Sequence, residues 1–197
     1  MQKERLLAFS DGVIAIIITI MVLELKVPHD PSFGALAKIA PVFLSYVLSF
    51  VYIAIYWVNH HHMLHTVSRV NGAILWANMH LLFWLSLVPF TSGWMGENHF
   101  AAAPTALYGF SLLMPAVAYT ILQMVIIRAE GPDSTLARAV GADWKGKLSV
   151  VAYVAAIPLA FVSPWLSGAL FLAIAIVWLV PDPRIERIFA EGEKTGQ

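Results

Sequence analysis

The sequence predicts an all-α, polytopic membrane protein with six transmembrane helices per chain and both termini cytoplasmic. Three observations carry that prediction. Of 197 residues, 59% are hydrophobic and 12% charged, with a mean hydropathy of +0.75. A soluble domain carries about 25% charged residues, and the 12 acidic and 12 basic side chains here are too few to build a water-facing surface. The apolar residues are gathered into continuous runs close to the ~20 residues that cross ~30 Å of hydrocarbon. The third observation is the placing of the basic residues, which favours one side of the membrane. A β-barrel would instead need short segments alternating with period 2.

Taken in order, the runs are roughly 6–25, 41–60, 72–91, 105–127, 147–163 and 165–180. The first, Leu6 to Leu23, has no small-residue cleavage site after it and further spans follow, so it is expected to stay as a membrane helix and not be removed as a signal peptide. Pro89, Pro115 and Pro158 fall inside spans, where each is expected to bend its helix and free a carbonyl for a neighbour to satisfy. Only Ser163 and Pro164 separate the last two runs, which read as a tight helical hairpin. With both termini inside, the cytoplasmic segments hold Lys3, Arg5, Arg69, Arg128, Arg138, Lys145, Lys147, Arg184, Arg187 and Lys194, against Lys26 and Lys38 outside. That asymmetry follows the positive-inside rule and favours an even number of spans. Residues 1–183 are expected to form one membrane domain, and 184–197 a short cytoplasmic tail.

Helix 1 places Arg5, Ser10 and Asp11 on its first turns, at the mouth of an apolar segment. Ser10 or Asp11 is suited to cap a helix, with Gly12 as a helix start or a point of close contact. Against simple capping, Leu6 to Phe9 already read as helical. A carboxylate at membrane depth usually faces a bundle interior or a water-filled cavity. A buried ion pair or hydrogen-bonded network is therefore the more economical account. Further along, Ile16, Ile20 and Leu23 are spaced four and three apart and share a face, with Thr19 beside them and Ile14 pointing elsewhere. Thr19 is the only polar side chain at mid-depth in this helix, and it is able to bond back to the carbonyl of Ala15. Spacing alone does not separate a pore-lining stripe from a lipid-facing or packing one. Glu24, at the outer mouth, either offers a cation a favourable field or is simply wetted.

The run Trp57 to His65 ends helix 2 with four histidines. No acidic residue interrupts it and no H-E-x-x-H arrangement occurs, so a catalytic zinc is not expected. Either the helix dipole satisfies these histidines, or one of them, His60 or His61, joins Arg5 and Asp11 at the inner leaflet. Asn78 and His80 on helix 3 are polar groups in an apolar segment and need partners. Tryptophans near helix ends fit an aromatic belt. Cysteine is absent, which excludes disulfides, thiolate chemistry and cysteine metal sites. No glycine-rich phosphate loop, catalytic base geometry or exposed basic face is present, so neither an enzyme nor a nucleic-acid partner is expected.

Two motifs carry a resemblance. Arg5, Phe9, Ser10 and Asp11, followed by Ile16 and Thr19, resemble the R-x-x-x-F-S-D signature of the first helix in prokaryotic relatives of the lysosomal potassium channel, the transmembrane protein 175 family. Tyr56, Trp57, His60 and His61 resemble that family's Y-W-x-x-H-H-x-x-F element, with Leu64 replacing the aromatic. Ile14 stands where phenylalanine is more frequent, and Ile20 where leucine is. The resemblance implies a multi-pass channel of a prokaryotic plasma membrane, surrounded by lipid and passing monovalent cations. Potassium is the permeant ion, modestly preferred over sodium, with no cofactor and no metal site. The T-V-G-Y-G loop of carbonyl selectivity filters is missing. A single six-helix repeat would assemble as a homotetramer with helix 1 of each subunit lining the pore. Carried over by position, the hydrophobic constriction falls on Ile16, Ile20 and Leu23, with Thr19 beside its narrowest layer. Arg5, Ser10, Asp11, His60, His61, Asn78 and His80 fall in a network bracing the inner end. A secondary transporter is the alternative, but it favours inverted repeats and broken helices around a midplane site, and no internal repeat is visible. A non-conducting structural protein would leave the Ile16 stripe facing lipid or another helix.

Overall fold

The computed structural model describes residues 2–141 and 143–180, and among them every regular element is helical. Helix α1 runs Lys3–Ile20 and tightens into a 3-10 turn at Met21–Glu24; α2 is Phe33–Lys38 and α3 is Ala40–His65. Then follow α4, Gly72–Ser86, α5, Val88–Glu97, and α6, Ala102–Glu130. Last come α7, Thr135–Val140, α8, Trp144–Val162, and α9, Pro164–Leu179.

Among the described residues the expected count of six spans is corrected to five. The stretches long and apolar enough to cross a membrane are Lys3–Glu24, Ala40–His65, Gly72–Glu97, Ala102–Glu130 and Trp144–Val162. The last apolar run forms the 16-residue α9, which at 1.5 Å per residue reaches about 24 Å and falls short of the ~30 Å of hydrocarbon. Ser163, extended at φ −158°, ends α8, and Pro164 opens α9, so the two runs do not merge into one longer helix. The cytoplasmic placement of both termini rests on the basic residues and agrees with an even count, an agreement that five spans remove. The expected tail, 184–197, with Arg184, Arg187 and Lys194, lies outside the described residues, as does the boundary at 183.

Local chemistry explains where the elements begin and break. Ser32, Asn71 and Ser134 cap α2, α4 and α7, their side chains accepting from the backbone N–H of Ala35, Ile74 and Ala137. The third span does not simply bend at Pro89. It is interrupted at Leu87 and restarts as α5 with Pro89 in the first turn, where a missing N–H costs little. Pro115 and Pro158 stay inside α6 and α8 as expected.

Helix α6 is the hub, packing on α4, α5, α8 and α9, while α1 lies against α3 and α4. One apolar core runs from Leu6 and Ile14 through Ile53, Ile74 and Leu81 to Leu122 and Ala156. Helices α3 and α5 meet closely: a Cβ on Gly96 would stand 2.5 Å from Ser45 Oγ and 2.7 Å from the Cα of Val42. Small residues permit such approach between membrane helices, and hydroxyls then bond across the contact. Here Ser92 donates to the Ser45 carbonyl at 3.1 Å, and Ser49 joins Ser92 at 2.7 Å and Tyr108 at 2.9 Å. One end of the bundle gathers the start of α1, the end of α3 and the end of α6. There Lys3 donates to the His65 carbonyl, and Ser68 donates to Glu130 from its N–H and its hydroxyl. At the opposite end Lys26 pairs with Glu97.

Candidate functional site: the open face and polar base of α1

The two faces of α1 have different surroundings. Leu6, Ser10, Ile14, Ile17 and Met21 are buried against the bundle, at spacings of four and three that keep them on one side. On the other side Ile16 is 64% exposed, Ile20 47% and Leu23 74%, with Phe9 and Thr19 also open. Three large apolar side chains thus form a line with no cover inside the subunit. Thr19 donates back to its own helix, 2.9 Å from the Ala15 carbonyl and 3.1 Å from that of Ile16. Its hydroxyl proton is thereby occupied, and the outward surface it offers is a methyl and oxygen lone pairs. Ile14, fully buried, is off the line as its spacing implied.

Glu24 closes the far end of this face. Its side chain lies over α5, where a Cβ on Gly93 would come within 3.1 Å of its Oε2. Glu97 and Glu24 both raise the pKa of the exposed Lys26, the hydrogen bond that Lys26 donates to Glu97 first. That mouth is therefore acidic, with one lysine set among two carboxylates.

At the base, the seven side chains expected to form one network separate into smaller groups. Ser10, Asn78 and His60 are completely buried and joined: Asn78 Nδ2 donates to Ser10 Oγ at 3.0 Å, and His60 Nε2 lies 2.7 Å from Asn78 Oδ1. An amide oxygen only accepts, so His60 carries its proton on Nε2. Its Nδ1 has no partner among the described residues. Asp11 is met by an indole: Trp57 Nε1 donates to its Oδ1 at 2.9 Å. His61 lies between the rings of Trp57 and His65, tilted to both, with centroids 6.0 and 4.4 Å away. His80 stands apart, accepting from Trp84 Nε1 one turn along α4 at 2.8 Å.

Arg5 does not reach Asp11; it is exposed and makes no hydrogen bond or ion pair with a described residue. The reason is angular. Six residues at 3.6 per turn rotate by about 600°, leaving the two side chains about 120° apart. The same arithmetic puts Arg5 on the line of Phe9, Ile16, Ile20 and Leu23. Gly12 is not a helix start, since it lies mid-helix, and within the subunit an added Cβ there would meet nothing within 4 Å. Trp57 is the partner that sequence reasoning missed. The available signal was an indole N–H that must find an acceptor when it is not at the interface, one turn before His61.

Residues 5–89 match the family model of the endosomal/lysosomal potassium channel TMEM175. The chain is 53% identical over 191 residues to a potassium channel of Chryseobacterium sp. (strain P1-3), covering 97% of this chain and 100% of that one. It is 33% identical over 204 residues to a potassium channel of Streptomyces collinus (strain DSM 40733 / Tue 365), covering 94% and 97%. Its fold is similar to the crystal structure of a lysosomal potassium-selective channel TMEM175 homolog from Chamaesiphon minutus. The TM-score is 0.80 at 30% identity, over 90% of this chain and 96% of that one.

Proposed function

This chain belongs to the TMEM175 potassium-channel family, among its prokaryotic members, and from that premise we propose that it forms a potassium-selective pore lined by α1 of each of four identical subunits. The observation that carries the reading is the uncovered line of Ile16, Ile20 and Leu23 on a helix whose other face is fully packed. A single helix cannot enclose a pore, so several copies must close around an axis, and closed symmetry is the norm for such assemblies. Four isoleucines at the Ile16 level then make an apolar neck with no oxygen to replace an ion's hydration shell. Such a neck gates by dewetting. Potassium sheds water more easily than sodium, so the preference for it is real but modest. Thr19 lies beside the narrowest layer. Glu24 gathers cations at one mouth. The joined Ser10, Asn78 and His60, together with the Asp11–Trp57 pair and the neighbouring His61, brace the base of the pore helix; Arg5 and His80 take no part in that brace. The described helices act together as one channel unit in a prokaryotic plasma membrane.

The test is bilayer recording of reconstituted protein in paired potassium and sodium solutions. Ile16→Asn wets the neck and is expected to raise conductance several-fold and weaken the discrimination against sodium. Ile14 is unsuitable as a control, because asparagine at a completely buried position breaks the core. Val22→Asn, exposed but off the line, is expected to leave both properties unchanged. If Ile16→Asn conducts and selects like the parent while Val22→Asn does not, the wrong face of α1 has been placed on the pore. Current steps at a potassium reversal potential distinguish a channel from a carrier, which gives saturable flux without steps.

A further inference from the structure

A second site lies away from α1. Among α3, α6, α8 and α9 is a pocket with about 40 Å³ of room for water, walled by the rings of Tyr56, Tyr119, Tyr153 and Trp178, with Asn59 and the carboxylate of Asp143 at its polar side. By the ~10–15 Å³ needed per water, it holds about three waters' worth of ligand. Tyr56 and Tyr119 meet edge to face at 6.1 Å, which fixes the orientation of both rings. Asp143 sits in the left-handed region at φ 44°, ψ 47°, and its side chain caps α8, Oδ1 accepting from the Gly146 N–H at 3.2 Å. Burial pushes the Asp143 carboxyl up, against the pull of that bond and of Lys147 nearby. Lys145 donates to the Val180 carbonyl at 2.8 Å and holds its ammonium 5.9 Å from the centroid of the Trp178 ring, and neither lysine lines the pocket.

We propose that this pocket binds a small ammonium group, the aromatic walls and the Asp143 carboxylate together recognising its charge. Several rings around a carboxylate favour an organic cation over an anion, which the carboxylate repels, and over a neutral molecule, which gains nothing from that charge. The size admits a primary ammonium carrying one or two carbons. Two sources supply that chemistry: a free amine, or the ethanolamine headgroup of a lipid, since Asp143 immediately precedes a membrane-spanning helix. The site is independent of the pore and stands whether or not α1 lines it.

The probe is ethylammonium chloride, titrated onto the detergent-purified full chain and followed by saturation-transfer NMR. Saturable binding is expected, with none for ethanol. Asp143→Asn keeps a side chain that tolerates the left-handed backbone and accepts from Gly146, yet removes the charge, and is expected to weaken binding about tenfold. Tyr119→Leu, which removes a ring and spares Asp143, is expected to weaken it several-fold. Absence of saturable binding, equal binding by Asp143→Asn, indifference to Tyr119→Leu, or displacement by equimolar potassium each overturns the proposal. Native mass spectrometry after purification from mixed vesicles of phosphatidylethanolamine and phosphatidylglycerol then separates the sources. Selective retention of phosphatidylethanolamine, lost in Asp143→Asn, identifies the headgroup; no such retention beside intact ethylammonium binding identifies a free amine.

Discussion

Asn78 uses both ends of its amide, one toward Ser10 on α1 and the other toward His60 on α3, so a single side chain on α4 ties three helices together. Removing it leaves two completely buried polar groups without partners, and each such group costs about 1–3 kcal/mol. Asn78→Leu is therefore expected to lower the thermal unfolding midpoint in detergent substantially, as read by circular dichroism. Arg5→Gln, at an exposed position without a partner among the described residues, is expected to shift stability by no more than about 0.5 kcal/mol. Asp143 makes a prediction of the opposite sign. Its folded-state pKa is raised by burial, so the folded chain holds that proton more readily than the unfolded one. Its charge then costs stability at neutral pH, and the cost disappears as pH falls through the raised pKa. Without ligand, Asp143→Asn is expected to raise the midpoint slightly at pH 7, the gain shrinking on acidification; a gain that grows at low pH contradicts this account.

At the level of elements, the contact between α3 and α5 is the most sensitive to volume. Gly96→Ala drives a methyl into the Ser45 hydroxyl and the backbone at Val42, and backbone cannot rotate aside, so a loss of about 1–3 kcal/mol is expected. Gly12→Ala meets no atom within 4 Å in the subunit and is expected to be neutral or to stabilise α1 by up to ~1 kcal/mol. Unfolding of the two variants side by side checks both. The same elements show what was legible in the sequence. Hydropathy located every long helix, because membrane helices are marked by continuous apolar runs whatever they pack against. It did not find α2 or α7, six residues each, whose signal is only a serine cap. Nor did it give the break at Leu87, since Pro89 reads alike as a kink and as a first turn. The count of spans failed at α9, where an apolar run is evident but its helical reach is set by Ser163 and Pro164. At the base, residue types pointed to a polar cluster. Partners did not follow from them: Asp11 found Trp57 and not Arg5, because angular position on a helix outweighs closeness in sequence.

For the whole molecule, the tetramer reading requires a detergent-solubilised mass four times the 21.7 kDa chain, and activity retained at the mass of one chain contradicts it. The line of exposed residues on α1 begins with Arg5 and ends beside Glu24, so the open face carries a cationic end and an acidic end. In the proposed tetramer these would become four guanidinium groups at one entrance and four carboxylates at the other, a built-in diode. Carboxylates enrich potassium at their entrance and guanidinium groups deplete it at theirs, within a Debye length of ~8–10 Å. In equal potassium solutions, current flowing from the Glu24 entrance toward the Arg5 entrance is expected to exceed the reverse. The asymmetry shrinks in Arg5→Gln and Glu24→Gln and fades as salt is raised toward molar concentration. A pore that rectifies in this way passes potassium more readily from its carboxylate entrance than from its guanidinium entrance, so that two side chains at opposite ends of one helix set how steeply flux answers a gradient of either sign.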